Sequence, residues 1–396
     1  MTTYGIIMLN NVEDEGVCGM HKVILSIDSF KGTMTSKQAC CAGRDAVLSV
    51  FPHCTCICVP IADGGEGTLE VFESILGGEY RTISVVAPDF TNIQASYLIL
   101  PSGTAVIEMA KASGLPLVED HKNAGEMTSF GTGELILHAI ENGCKYVILG
   151  LGGSATNDGG VGILSALGVK FLDSSGNPIK PCGFHLEKLH SVDASHMHPI
   201  VKECSFTVAC DVENTLCGPQ GASFVFGPQK GATPEDVVRL DRNLDHFAQV
   251  IKRDMGKDIL TLVGGGAAGG ISAGMSAFLR TELKSGIHLL LETVGFASLI
   301  QGADLIITGE GKVDGQSAKG KVVSGIGQYA KEYNVPVIVI AGDIGDDYED
   351  VLEKGICGVF SINHLALPYQ EIRHRAPRDL KDTIVNVMRF YRAIKN

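Results

Sequence analysis

Residues 21–63 read HKVILSIDSFKGTMTSKQACCAGRDAVLSVFPHCTCICVPIAD, and the fold class is carried by this stretch. It opens on an apolar run, KVILSID, passes through a segment from Ser36 to Val50 with helical spacing, and closes on a second apolar run, TCICVPIAD. A further helix-like segment starts near Glu66. This is βαβ rhythm. It returns at the other end of the chain, with ADLIITG, a helix expected from Gly320 to Tyr333, VPVIVIAG, a helix from Asp347 to Lys354, GVFSI, and a last helix from Arg378 to Ile394. A doubly wound parallel sheet is the natural reading. Between Val86 and about Gly286 the texture changes to glycine-rich turns and short strands such as ASYLIL, TAVIEMA, KYVILG and SFTVACD, which describe a second α/β unit.

Length agrees, since 396 residues exceed what one hydrophobic core usually holds. With 45% hydrophobic and 19% charged residues the chain lies in the globular range, and the net charge of −13 argues against nucleic acid or an anionic membrane surface as partner. No apolar stretch is long enough to span a bilayer. The first twenty residues carry Glu13, Asp14 and Glu15, lack a signal-peptide pattern and read as a leader, so the expected location is the cytoplasm. Twelve cysteines form no CxxC pair, and Cys54, Cys56 and Cys58 alternate along one strand face as reduced core residues. His196 and His198, in SHMH, have metal-like spacing but read as solvent-facing.

Glycine is the outlier, 49 residues of 396 or about 12% against a usual 7%. Five loops hold many of them: ADGGEGT (62–68), SFGTGEL (129–135), LGLGGSATNDGG (149–160), GGGAAGG (264–270) and TGEGKVDGQSAKGK (308–321). Such loops can turn several backbone N–H groups toward a phosphate or carboxylate. Two imitate known fingerprints. Gly264, Gly266 and Gly269 spell GxGxxG, and Gly150, Gly152 and Ala155 spell GxGxxA with Asp173 some twenty residues on, which keeps an NAD(P)-dependent oxidoreductase of a small hydroxy acid in view. Against it, Ser154, Thr156, Asn157 and Asp158 stand where a Rossmann helix wants apolar residues, and such polar groups suggest direct ligand contact. The run GQSAKGK (315–321) matches a Walker A loop only until Val322.

Several apolar runs end in aspartate: Asp28, Asp63, Asp211 and Asp343. Ligands of open parallel sheets gather at the carboxyl ends of strands, where such acids can hold Mg²⁺, accept a proton from a substrate hydroxyl, or cap the next helix. Lys31 follows a strand end in DSFKG, and Lys230 sits in the rigid turn FGPQKGA; each is a candidate for an anionic group.

The strings DSFKGT, PIADGGEGT, AVIEMAKASGL, TSFGTGELI, GGSATNDGGVG, LGVKF, VACDVEN, GASFVFGPQKGA, GAAGG and ITGEGKVDGQSAKGK, in this order, resemble the bacterial type I glycerate kinases from about His21 to the C terminus. The resemblance implies a flavodoxin-like domain built from both chain ends (21–85 and 286–396) with a second α/β domain (86–285) inserted. It implies ATP-dependent phosphorylation of D-glycerate, with 2-phosphoglycerate as product, and leaves a homodimer open. Lys312 stands where the family usually has Arg, keeping the charge but losing the two-pronged fork.

Phosphoryl transfer asks a protein mainly for positioning and charge neutralisation. In that scheme Lys31, Asp63 and Asp211 are the expected catalytic residues. Asp63 and Asp211 double as Mg²⁺ ligands, and the acid and metal roles are exchangeable. Ser29, Gly64, Gly65, Glu66, Gly152, Gly153, Ser154, Asn157 and Asp158 are expected to hold substrate or phosphate. Gly309, Glu310, Lys312, Asp314 and Lys321 are expected to line the nucleotide.

Overall fold

In the computed structural model the described residues are 19–30, 32–62, 64–65, 67–315, 317–318 and 322–395. The leader expected over 1–20 therefore lies almost wholly outside them. The chain divides into two compact units: the described residues of 1–63 with 74–76 and 287–396, and those of 64–73 with 77–286.

The first unit is a five-stranded, all-parallel sheet. Its strands are β1 (Lys22–Ile27), β2 (Thr55–Cys58), β11 (Leu305–Val313), β12 (Val337–Ile344) and β13 (Ile356–Ser361), in the order β13-β12-β11-β1-β2. That is the flavodoxin-like order, with its switch point between β1 and β11. β1 is buried from Val23 to Ile27 because the sheet is covered on both faces, so it reads as a continuous apolar run. Helix α1 (Ser36–Val50) starts where Thr35 and Gln38 form a reciprocal capping box, and Gly43 lets it lie close over the Leu25 side chain. The helix Ala376–Lys395 packs beside α1, burying Leu380, Ile384 and Met388 against the same core. Cys54 and Cys56 are buried in that core as free thiols and Cys58 packs against it, as their alternation predicts. The helix expected over 347–354 is a run of 3₁₀ turns, Tyr348–Lys354.

The second unit holds β3 (Glu79–Val86), β4 (Asn92–Ile99), β5 (Thr104–Glu108), β6 (Tyr146–Gly150), β9 (Ser205–Ala209) and β10 (Thr281–Lys284), in the order β10-β9-β6-β5-β4-β3. β5, β6, β9 and β10 are parallel, while β4 and β3 form an antiparallel edge. A small hairpin of β7 (Lys170–Leu172) and β8 (Ser191–Asp193) stands apart. The boundary expected after residue 85 moves to 63/64. β3 pairs in full register with β4, from Glu79 with Ile99 to Val86 with Asn92, so its backbone groups are committed to the second sheet.

Candidate active site

In the second unit, register places the ends of the parallel strands in one row: Glu108 beside Gly150, Gly150 beside Ala209, and Ala209 beside Lys284. The Gly64–Gly65 pair lies directly on that row. Gly152 N–H donates to the Gly64 carbonyl (3.3 Å), a Cβ on Gly150 would collide with that same oxygen, and one on Gly152 would lie 2.5 Å from Gly65 Cα. Gly64 has φ +84°, and a Cβ there would sit 2.6 Å from the Ala209 Cβ. Three glycines are thus required by one close approach of two backbones.

Glu108, which no site motif in the sequence marks, holds the loop from the other side. Its Oε1 accepts the Leu69 N–H (2.7 Å) in the first turn of α2 (Thr68–Leu76), and Lys111 Nζ is 3.6 Å from Oε2. Burial pushes its carboxyl upward, against the pull of the Leu69 amide and Lys111. With the folded pKa above the unfolded one, the folded chain binds this proton more tightly. Stability therefore rises as pH falls through the folded value, and the gain is complete below the unfolded value of about 4.3. Glu108→Gln keeps the acceptor and removes the titration. The difference between its Tm and that of the parent is expected to move in the variant's favour as pH rises from about 4 to 8. Parallel Tm–pH curves would refute the burial of a charge there.

The loop after β6 is braced throughout. Asp158, wholly buried, accepts from Ser129 N–H (2.9 Å), Ser129 O–H (2.7 Å), Gly160 N–H (3.0 Å) and Gly162 N–H (3.2 Å). Burial raises its pKa while these donors oppose the shift. Asn157, also buried, donates through Nδ2 to Ser223 Oγ (3.0 Å). Both side chains are committed inside the fold. Ser154 is 7% exposed, and Gly152 and Gly153 are more open. The GGGAAGG loop packs on the same segment: Ala268, Gly269 and Gly270 all have positive φ, the Gly269 carbonyl accepts the Gly159 N–H (2.9 Å), and a Cβ on Gly269 would strike the Thr156 carbonyl. Of the fingerprint glycines, Gly269 serves the contact with this loop, while Gly264 and Gly266 lie against residues 210–215. Asp173 spends its Oδ1 on Ser175 N–H (2.8 Å) and Asn177 N–H (2.9 Å) in its own turn.

Asp211 follows β9 by two residues, is exposed, and accepts the Gly286 N–H through Oδ1 (2.9 Å). Lys230, by contrast, is only 2% exposed.

The first unit carries the remaining candidates at the same kind of position. Asp28 N–H donates to the Gly309 carbonyl (2.8 Å) across the switch point, and Asp28 Oδ1 accepts the Ser29 N–H (2.6 Å). Gly309 runs so close to Ile340 that a Cβ would hit its carbonyl. Glu310 and Lys312 continue β11 opposite Ala341 and Asp343, and Lys312 Nζ is 3.5 Å from Asp314 Oδ2. Asp343 bonds back to the Ile344 N–H (3.0 Å). Lys31, Asp63, Glu66 and Lys321 lie outside the described residues.

Two other metal-like groupings have partners already. His196 and His198 each face an acid, Asp193 (3.7 Å) and Glu141 (3.8 Å). Glu126, Cys182 and His185 converge within 4.8 Å, but Lys180 Nζ holds Glu126 at 2.6 Å and burial raises the Cys182 thiol to about 11. A cation there would have to displace a lysine and deprotonate a buried thiol. Among the described residues no helix is long and apolar enough to cross a membrane.

Comparison with known proteins agrees with the family resemblance. The profile of the glycerate kinase family matches residues 23–392. Escherichia coli glycerate 2-kinase is 45% identical over 343 residues, 86% of this chain and 90% of that one. A glycerate kinase of Halalkalibacterium halodurans is 44% identical over 345 residues, 87% of this chain and 91% of that one. A crystal structure described as glycerate kinase 2 from Salmonella typhimurium LT2 superposes with a TM-score of 0.85 at 39% identity, covering 95% of this chain and 99% of that one. The oxidoreductase reading finds no support, in these relatives or in the turn that occupies Asp173. With the profile running over nearly all its described residues, the chain belongs to the glycerate kinase family.

Proposed function

We propose that the chain, an ATP-dependent kinase of this family, moves the γ-phosphoryl of ATP onto the 2-hydroxyl of D-glycerate. The observation that carries the reading is the row Glu108, Gly150, Ala209, with Gly64 and Gly65 laid over it: main-chain amides and a strand-end acid gathered at the carboxyl edge of one sheet. Gly64, Gly65, Gly152, Gly153 and Ser154 offer donors to anionic oxygens, with Lys31 and Glu66 as further contacts. Asp158 and Asn157 keep that loop in shape. Ser29 at the end of β1 is a further candidate for substrate or phosphate, and Gly309, Glu310, Lys312, Asp314 and Lys321, on and after β11, form the nucleotide-binding group of the first unit.

The carboxylates Asp211 and Asp63 are hard oxygen donors of the kind Mg²⁺ takes, and Asp211 is exposed at its strand end, so the residues fit that ion. Bound Mg²⁺ would neutralise phosphate charge. The acid that does not hold it orients the attacking hydroxyl and receives its proton.

The test is incubation with ATP, Mg²⁺ and D-glycerate, followed by phosphorus NMR of the products. A 2-phosphoglycerate resonance growing with ADP is expected. A 3-phosphoglycerate signal would correct the position, and unchanged ATP would refute the assignment.

A further inference from the structure

We propose that Lys230 is a positioning residue for phosphoryl transfer, which holds the 152–158 loop from beneath and sets the Ser154 hydroxyl as a donor toward the bound anion. The inference rests on the kinase reading above and adds a part to it.

The turn that carries Lys230 is rigid. It is a single 3₁₀ turn, Pro228–Lys230, closed by Gly231 at φ +87°, and a Cβ on Gly231 would lie 2.6 Å from both Cβ and the carbonyl oxygen of Lys122. From there the side chain runs into the interior, where Nζ donates to Ser154 Oγ (2.7 Å) and to the Thr156 carbonyl (2.7 Å). Among the described residues no carboxylate pairs with it. An ammonium buried on two neutral oxygens is costly for a fold to keep, and replacement by an apolar chain is often tolerated or stabilising. The 152–158 loop itself breaks the satisfaction rule twice more, for Thr156 Oγ1 and Asn157 Oδ1 are buried without a partner among the described residues. Three departures in one short loop mark a site organised for a ligand.

The direction of the Ser154 proton follows from valence. A serine hydroxyl has one proton to give. With Lys230 donating to its oxygen, that proton must point away from the ammonium, toward an acceptor on the other side of Oγ. Gly153 and Ala155 on either side are pinned by main-chain bonds, Leu115 N–H to the Gly153 carbonyl (2.8 Å) and Ala155 N–H to the Ser113 carbonyl (3.0 Å), so the backbone under Ser154 is fixed and the Lys230 bond holds its Oγ. The arrangement is a pre-set donor of the kind that stabilises charge on a transferring group.

Ionisation supports the geometry. Burial pulls the Lys230 ammonium down to about 7, opposed by the field of Asp158. Asp158 faces it from the loop. Lys122, whose backbone touches the turn, has its ammonium on Glu119 (2.6 Å), and the adjoining helix Ala222–Phe226 has no ionisable side chain. The charge behind Ser154 is therefore lost as pH rises through about 7.

A double-mutant cycle on the full chain tests the proposal, using Lys230→Met, Ser154→Ala and the pair, with ATP, Mg²⁺ and D-glycerate. Each single change is expected to lower kcat/KM about tenfold, the worth of one well-placed hydrogen bond, and the pair no further than either. The parent profile should fall above pH 7 and that of Lys230→Met should lack this limb. Additive losses, or an unchanged limb in the variant, would overturn the proposal. Should Lys230→Met fail to fold, Lys230→Gln takes its place in the cycle; failure of both would make the lysine a structural pillar and overturn the proposal as well. If the parent itself does not phosphorylate glycerate, the kinase reading falls. Amide exchange over residues 152–158 then decides separately, faster exchange in the Lys230 variant supporting the brace and equal exchange refuting it.

Discussion

Gly150→Ala is expected to lower kcat/KM by about a hundredfold while the chain still folds. The last residue of β6 faces Gly64, and the three nearest atoms its new methyl group would meet all belong to the Gly64 backbone. No flexible side chain is available to yield. The Gly64–Gly65 segment must lift away from the strand ends, taking its amides with it, and displacements of about 1 Å at a site of pre-set donors cost on the order of a hundredfold in rate. The second sheet keeps its ladders, since Gly150 already has strand backbone, so the loss of Tm should be modest. Gly103→Asn is the matching control: its φ of +82° suits asparagine and nothing lies within 4 Å of a Cβ there. Activity within about threefold of the parent in Gly150→Ala would show that the two backbones do not need this approach for catalysis.

Asp211→Asn should have a larger effect, a fall in kcat of about a thousandfold with Tm within a few degrees. The amide oxygen can still accept the Gly286 N–H, so the local shape survives and the charge alone is removed. If Asp211 orients the hydroxyl and takes its proton, its loss combines an acid–base contribution of about 10²–10⁴ with weaker positioning. If instead it holds Mg²⁺, the apparent Mg²⁺ requirement rises steeply and high Mg²⁺ recovers part of the rate. Steady-state kinetics over a range of Mg²⁺ separates the two. A turnover loss below about tenfold at every Mg²⁺ concentration would remove Asp211 from the chemistry.

The layers of the fold were legible because both sheets are built largely of buried parallel strands, and such strands announce themselves as short apolar runs ending in polar residues, as KVILSID and SFTVACD do. The boundary at 63/64 was not, because EYRTISVV alternates as an edge strand would in either sheet and only its partner β4 assigns it. At the site the glycine loops could be recognised but their purposes could not. Gly150, Gly152 and Gly269 are glycines because another backbone lies against them, a long-range fact with no local signature. Glu108 and Lys230 illustrate the same limit from the side of charge. Ionisable residues are expected at the surface, so EMAKASG and GPQKGA gave no sign that Glu108 and Lys230 are buried at 1% and 2% exposure. Asp158 reverses the case: its polar string suggested a ligand contact, while four donors hold it inside the loop.

The pairing of β1 with β11 joins residues about 280 positions apart, Val23 beside Leu305, while the second unit is nearly continuous in sequence. A ribosome therefore releases every strand of the six-stranded sheet before it releases the neighbour on which β1 must lie. Domains fold as units during synthesis, and distant pairings wait for their closing segment. The nascent chain can pair KVILSI with TCIC, but the other edge of KVILSI must stay open, apolar and exposed through most of translation. Chaperone demand should concentrate on that amino-terminal segment, and it should end abruptly once the strand 305–313 emerges.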